Sequence, residues 1–118
     1  MKKLIAVVAI VLGFAFNTNA QEVKTVSLEQ TKGEFTQKQI TVSEGTYVFE
    51  IANNNVGHNV GFVLAPKSNT EAHIKNAYVK EKVQNNTKQT SKKVTLKKGE
   101  YVYFCPLNPT PEYTLIVQ

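Results

Sequence analysis

The segment from Tyr101 to Val117 constrains the fold more than any other part of the sequence. Aromatic and aliphatic residues alternate from Tyr101 to Phe104, and this strand pattern runs directly into Cys105, the only cysteine. Because successive side chains of a strand point to opposite faces, Cys105 shares a face with Tyr101 and Tyr103. The following loop contains three of the four prolines, and an apolar strand then ends the chain. In soft-metal proteins, such a strand–cysteine–loop–strand unit can hold a thiolate ligand.

The rest of the chain also favours β-structure. Alternating or apolar segments occur at 23–28, 40–42, 47–51, 60–64 and 92–96, and a further run begins at Phe35. Turn residues separate several of these segments. These segments predict an all-β fold, a Greek-key β-sandwich of about seven strands. Residues 68–83 differ, because Ser68 and Glu71 form a capping-box pattern followed by apolar residues at helical spacing. We therefore expect one short helix there, packed against the sandwich.

The N-terminus has the features of a secretory signal peptide. Two lysines follow Met1, an uncharged apolar run extends from Leu4 to Phe16, and Ala20 provides a small residue at a suitable cleavage point. The apolar run is short for a membrane-spanning helix, which needs roughly 20 residues. We predict a signal peptide at 1–20 and one domain at 21–118, exported to the periplasm or the extracellular space. No membrane span is expected after cleavage, and an uncleaved anchor is the alternative.

Charge and cysteine content narrow the possible functions. Lysine supplies all 14 positive charges and glutamate all 9 negative ones, for a formal net charge of +5. The chain has no arginine, the residue that makes bidentate hydrogen bonds to guanine or phosphate, so we expect no nucleic-acid partner. A single cysteine in an exported chain excludes an intrachain disulfide. It leaves a free thiol, an intermolecular bridge, a metal ligand or a buried core cysteine.

Two motifs together resemble the cupredoxins, the family of type 1 blue copper proteins. The first is the strand ending at Cys105 with its short loop, which is similar to that of amicyanin. The second is the sequence Gly57, His58, Asn59 at a loop-to-strand junction, which is similar to the corresponding corner of azurin and auracyanin. The resemblance covers most of residues 23–117. It implies copper ligation by His58 and Cys105, a Gly57 carbonyl on the metal axis, and a second-shell role for Asn59, which would tie the two ligand segments together.

The loop departs from the family pattern at both of its expected ligands. The amicyanin pattern Cys-x-x-His-Pro-x-Met-x-Gly has the same length, but Asn108 replaces the second histidine, Pro111 replaces the methionine and Tyr113 replaces the glycine. The only methionine is Met1. Asn108 therefore remains only a weak candidate ligand, and the implied copper site is incomplete. No motif places the second histidine, His73, near Cys105, and we expect it to be a partly solvated residue of the predicted helix.

Several functions remain open at this point. The preferred prediction is a cell-envelope binding or copper-handling module with an incomplete type 1 site. The alternative is a copper-binding one-electron carrier with an atypical ligand set. Either function implies a redox or copper-delivery protein as partner. A Cys–His nucleophile and base would make an enzyme, but the family geometry points both groups at a metal-sized gap, and we expect no catalysis.

Overall fold

The computed structural model describes residues 22–118, which form eight strands and one three-residue 3₁₀ helix. The predicted signal peptide at 1–20 and its boundary with the domain lie outside these residues. Within residues 22–118, no helix is long and apolar enough to cross a membrane. The strands are β1 (Val23–Thr31), β2 (Glu34–Phe35), β3 (Gln39–Val42), β4 (Gly45–Asn53), β5 (Val63–Pro66), β6 (Lys88–Leu96), β7 (Gly99–Phe104) and β8 (Tyr113–Val117).

The strands form two four-stranded sheets that confirm the predicted β-sandwich. One sheet has the order β2-β1-β4-β6 and the other the order β3-β8-β7-β5. Two neighbouring pairs are parallel, β1 with β4 and β3 with β8, and the remaining pairs are antiparallel. Parallel neighbours cannot be joined by a hairpin. The chain therefore crosses between the sheets, and segments distant in sequence meet at the sandwich ends.

The core lies between the sheets and is rich in aromatic side chains. Tyr47, Phe49 and Ile51 of β4 are buried, as their alternation predicts. Tyr103 and Cys105 also face this core, and Tyr101 packs against it at the partly exposed end of β7. The side chains on the inward faces of the two sheets thus form one packed core, and the loops at the sandwich end lie next to it.

The structure has only a three-residue 3₁₀ helix, Lys75–Ala77, where a longer helix was predicted within residues 68–83. The segment is extended where it lies next to strands: Val79 pairs with Ser91, and Val83 pairs with Val60. The Lys80 N–H also donates to the Thr90 carbonyl at 3.0 Å. Tertiary pairing with β6 therefore overrides the local helical spacing, as often happens with weak propensities. β6 begins at Lys88, earlier than its apolar alternation indicates, because Lys88 and Gln89 pair with β4.

Tyr103 lies in the core two residues before Cys105, and its burial has a consequence at high pH. Its hydroxyl donates to the Gln37 carbonyl at 2.6 Å. Burial, and to a smaller degree the neighbouring Tyr113, raises the pKa of Tyr103 to about 12. An unfolded tyrosine loses its proton near pH 10. Between these values the unfolded chain has released a proton that the folded chain still holds.

We therefore expect the free energy of unfolding to fall as the pH rises from about 10 to about 12. The loss attributable to Tyr103 should be about 1.4 kcal/mol per pH unit in that window, and it should be absent below it. Urea unfolding of the protein and of Tyr103→Phe at several pH values measures this contribution as the difference between the two slopes. Equal slopes in both proteins would contradict the assignment.

Candidate metal centre

Cys105 is placed by the end of β7 and held by two backbone N–H groups. The side chain is buried, with 1% of its surface exposed. Its Sγ accepts hydrogen bonds from the N–H of Gly61 and from the N–H of Asn108, each at 3.3 Å. The first contact joins the segment after His58 to the cysteine loop. The structure therefore brings the two motif-bearing segments together, as the resemblance implies.

The backbone of His58 is fixed, but its imidazole is exposed. Asn53 Nδ2 donates to the His58 carbonyl at 2.8 Å, and two residues later Val60 pairs with Val83. The ring Nδ1 lies 2.9 Å from the Asn59 carbonyl, so it hydrogen-bonds within its own loop. A shared ion between His58 and Cys105 stays a prediction, because the contact formed to the sulfur comes from Gly61.

Gly57 and Asn59 flank His58 on the exposed loop. Gly57 has φ +102°, a backbone conformation that glycine adopts without strain, and its N–H donates to Asn85 Oδ1 at 2.8 Å. The Asn59 side chain is exposed, and its backbone carbonyl is the group that faces the His58 ring. The axial role of the Gly57 carbonyl and the second-shell role of Asn59 remain predictions. The observed tie between the segments is the Gly61 N–H.

Asn108 points into the protein interior, and its amide is fully engaged there. The residue is 2% exposed. Its Oδ1 accepts from the Gly33 N–H at 2.7 Å, and its Nδ2 donates to the Thr31 carbonyl at 2.8 Å and to Gln30 Oε1 at 3.1 Å. Three polar groups of β1 and the β1–β2 turn thus surround the side chain that stands where the resemblance implies a histidine.

Hydrogen bonds within the loop after β7 join Cys105 to Thr110, and no side chain of residues 109–111 hydrogen-bonds to the Cys105 sulfur. The Cys105 N–H donates to Thr110 Oγ1 at 3.0 Å, and the Thr110 N–H returns to the Cys105 carbonyl at 3.3 Å. Pro111, for which the resemblance implies a methionine, is exposed. Tyr113, for which it implies a glycine, begins β8 and packs on Tyr103, with ring centroids 5.6 Å apart. Tyr113 therefore packs against the aromatic core.

His73 lies near the cysteine strand but contacts other groups. Its Nδ1 is 2.8 Å from the Tyr78 hydroxyl, and its ring stands edge-on to Phe104 with centroids 6.1 Å apart. Phe104 precedes Cys105 and points to the other face of the strand. These contacts give His73 a packing role beside the sheet.

Two important residues were missed by the sequence analysis, Gln30 and Gly61. Gln30 is completely buried, and its Nε2 donates to the Gly61 carbonyl at 2.7 Å. A signal for Gln30 was present, because it continues the inward alternation of Val26 and Leu28 on β1. A polar side chain at an inward strand position needs a buried partner. Gly61 carried no comparable signal.

The structure does not bring together the donors that a type 1 copper centre uses. Such a centre needs two imidazoles and a thiolate in one plane, with a weak axial thioether or oxygen. The thiol of Cys105 is present, whereas His58 bonds within its loop, Asn108 is engaged by β1 and Pro111 has no side-chain donor. Among residues 22–118, no three His, Cys, Asp or Glu side chains form a group that could hold a metal ion.

The chain belongs to the family described as the Cupredoxin-like domain, whose family model matches residues 4–117. This match confirms the resemblance drawn from the two motifs. A comparison with curated proteins finds no match. The family match and the two-sheet architecture together identify the chain as a cupredoxin-like domain. They do not identify which of its residues bind a metal ion.

Solved structures with the same fold include several copper proteins. Auracyanin A from Chloroflexus aurantiacus, described as a "blue" copper protein, is 16% identical with a TM-score of 0.65, over 82% of this chain and 100% of its own. The reduced auracyanin from Roseiflexus castenholzii is 11% identical with a TM-score of 0.62, over 84% and 99%. Amicyanin from Paracoccus versutus is 15% identical with a TM-score of 0.52, over 80% and 81%. At these identities the similarity shows the fold alone.

Proposed function

We propose that this protein is an exported cupredoxin-fold module with an incomplete type 1 copper site, acting in the cell envelope as a binding or copper-handling protein. The observation that carries the proposal is the buried amide of Asn108, whose oxygen and nitrogen are bonded to Gly33, Thr31 and Gln30. A side chain held in this way is not free to serve as the second equatorial ligand. The proposal includes no catalytic activity and no nucleic-acid partner.

Copper handling is supported by the two donors that remain. A cysteine sulfur is the soft ligand that Cu(I) prefers, and an imidazole is also a suitable donor. His58 is exposed on a loop whose backbone is fixed, so its ring can turn without unfolding the loop. Two donors leave the coordination of Cu(I) unfilled, and a third donor from a copper-delivery partner would complete it. In this function Cu(I) is cargo that is passed on.

A one-electron carrier is the second candidate. It is favoured by family membership and by the fold shared with auracyanin, a blue copper protein. This function requires that the parent protein form a stable, coloured Cu(II) complex with an unusual ligand and that it meet a redox partner. A Cys–His enzyme has less support, because the Cys105 sulfur bonds to two backbone N–H groups and the His58 Nδ1 faces the Asn59 carbonyl.

The test is the copper chemistry of the purified protein. We expect no intense visible band after addition of Cu(II), and we expect Cu(I) binding in competition with a chromophoric chelator. Cys105→Ser and His58→Ala should each weaken Cu(I) binding, whereas His73→Ala, the matched histidine control, should not. An intense band in the parent would replace the proposal with the electron carrier. If neither copper ion bound, copper handling would be excluded and a metal-free binding module would remain.

A further inference from the structure

A closed ring of hydrogen bonds connects three distant segments at the end of the sandwich that carries Cys105. Gln30 Nε2 donates to the Gly61 carbonyl at 2.7 Å, and the Gly61 N–H donates to Cys105 Sγ at 3.3 Å. The Asn108 N–H donates to the same sulfur at 3.3 Å, and Asn108 Nδ2 returns to Gln30 Oε1 at 3.1 Å. Strand β1, the segment after His58 and the loop after β7 are thereby fixed to one another.

Gln30 and Asn108, which we call the amide lock, are the two side chains of this ring that provide both donors and acceptors. They are 0% and 2% exposed, respectively. Asn108 extends the ring to the β1–β2 turn through the Thr31 carbonyl and the Gly33 N–H. Among the described residues, no buried side-chain nitrogen or oxygen lacks a hydrogen-bond partner. The lock is therefore a completed polar network, the only form in which buried amides stabilise a fold.

The hydrogen bonds of the lock join residues that are far apart in the sequence, so they restrict the chain strongly. Asn108 bonds to residues 75, 77 and 78 positions earlier in the chain, and Gln30 bonds to one 31 positions later. A cross-link that closes long loops, such as a metal clip, restricts the chain most strongly. Ligands that meet on a metal ion join distant segments in the same way, because metal binding is coupled to folding.

We propose that the amide lock takes the structural place of a metal ion in this protein, so that the loop after β7 keeps its conformation with no metal bound. The lock also fixes the backbone at Asn108, whose N–H is one of the two groups that hold the Cys105 sulfur. This inference does not depend on the proposed function. A protein that passed Cu(I) through Cys105 and His58 would still use the lock to hold the loop.

The test combines a chelator with variants of the lock. We expect the metal-free protein in chelator to remain folded and to unfold in one cooperative thermal transition, because the lock contains no metal. Asn108→Ala and Gln30→Ala should each raise the unfolding constant at least about tenfold, because each leaves buried partners unsatisfied. Gln84→Ala, a change of an exposed amide outside the lock, should leave it unchanged. The double variant Gln30→Ala/Asn108→Ala should lose less than the sum of the two single losses, because both act on one network.

Hydrogen exchange of the parent protein provides a readout that does not depend on the variants folding. The Gly33 amide, on an exposed turn, should exchange at least about tenfold more slowly than an unprotected amide, because Asn108 Oδ1 accepts its proton. A free exchange rate at Gly33 would overturn the proposal, as would a neutral Asn108→Ala variant. Loss of this protection at Gly33 in chelator would also overturn it, since the loop would then require a metal. These outcomes do not depend on whether Cu(I) binds to Cys105.

Discussion

The double variant Asn108→His/Pro111→Met is expected to bind copper and to show an intense thiolate-to-copper absorption, which we expect the parent protein to lack. The change restores the order Cys-x-x-His-Pro-x-Met, and the loop already has the required length. His58 and Cys105 would supply the other equatorial donors. Titration with Cu(II), followed by visible spectroscopy, measures the result directly.

The same variant should be less stable than the parent when no metal is present. Loss of the Asn108 amide removes a partner from Gln30 Oε1, from the Thr31 carbonyl and from the Gly33 N–H. Of these residues only Gln30 is fully buried, and one unsatisfied buried group costs about 1–3 kcal/mol. That cost is a substantial part of the roughly 5–15 kcal/mol that stabilises a typical domain. Bound copper should restore stability in proportion to its concentration and affinity.

Two controls define how the copper result is interpreted. Pro111→Met alone should stay colourless, because the amide of residue 108 still faces β1. Cys105→Ser in the double variant should remove the colour, since the absorption comes from the thiolate. A folded double variant that stayed colourless with Cu(II) would mean that His58 and Cys105 do not converge on one ion.

Phe35→Ala is expected to be the most destabilising single core substitution, with a loss of about 3–5 kcal/mol in the free energy of unfolding. Phe35 is completely buried, although it lies on the two-residue edge strand β2. Its ring stands edge-on to three aromatic rings, with centroid distances of 5.2 Å to Tyr103, 5.7 Å to Tyr113 and 6.1 Å to Phe62. Urea unfolding at neutral pH measures the loss.

The structural reason is that Phe35 joins both sheets at the end that carries Cys105. β2 pairs only with β1, whereas Tyr103 and Tyr113 belong to β7 and β8 of the other sheet. Phe35→Leu should cost clearly less, because most of the volume is kept, and Val23→Ala at an exposed position should change stability by no more than about 0.5 kcal/mol. A Phe35→Ala protein as stable as the parent would show that β2 is not part of the core.

The sequence predicted most of the strands and the residues of the two motifs, because both are recorded in local patterns. Alternation on β4 and β7 identified the inward faces, and the class of fold followed from the spacing of strands and turns. The prediction of a helix at residues 68–83 rested on the same kind of local pattern, and the structure has only a 3₁₀ helix there. The apolar spacing was real, but pairing of Val79 with Ser91 and of Val83 with Val60 offered the backbone a better set of partners.

The sequence by itself determined the β-sandwich, the position of Cys105 at the end of an inward-facing strand, and the absence of histidine and methionine from the loop. Only the tertiary structure decided what the loop residues do instead. In the sequence Asn108 is only a weak candidate ligand, and its role in the structure depends on Gln30, 78 positions away. Local patterns report burial and periodicity, whereas a hydrogen-bond network across two sheets depends on which segments the topology brings together. The parallel pairing of β1 with β4, together with the packing of both sheets on Phe35, brings Gln30 within reach of the cysteine loop.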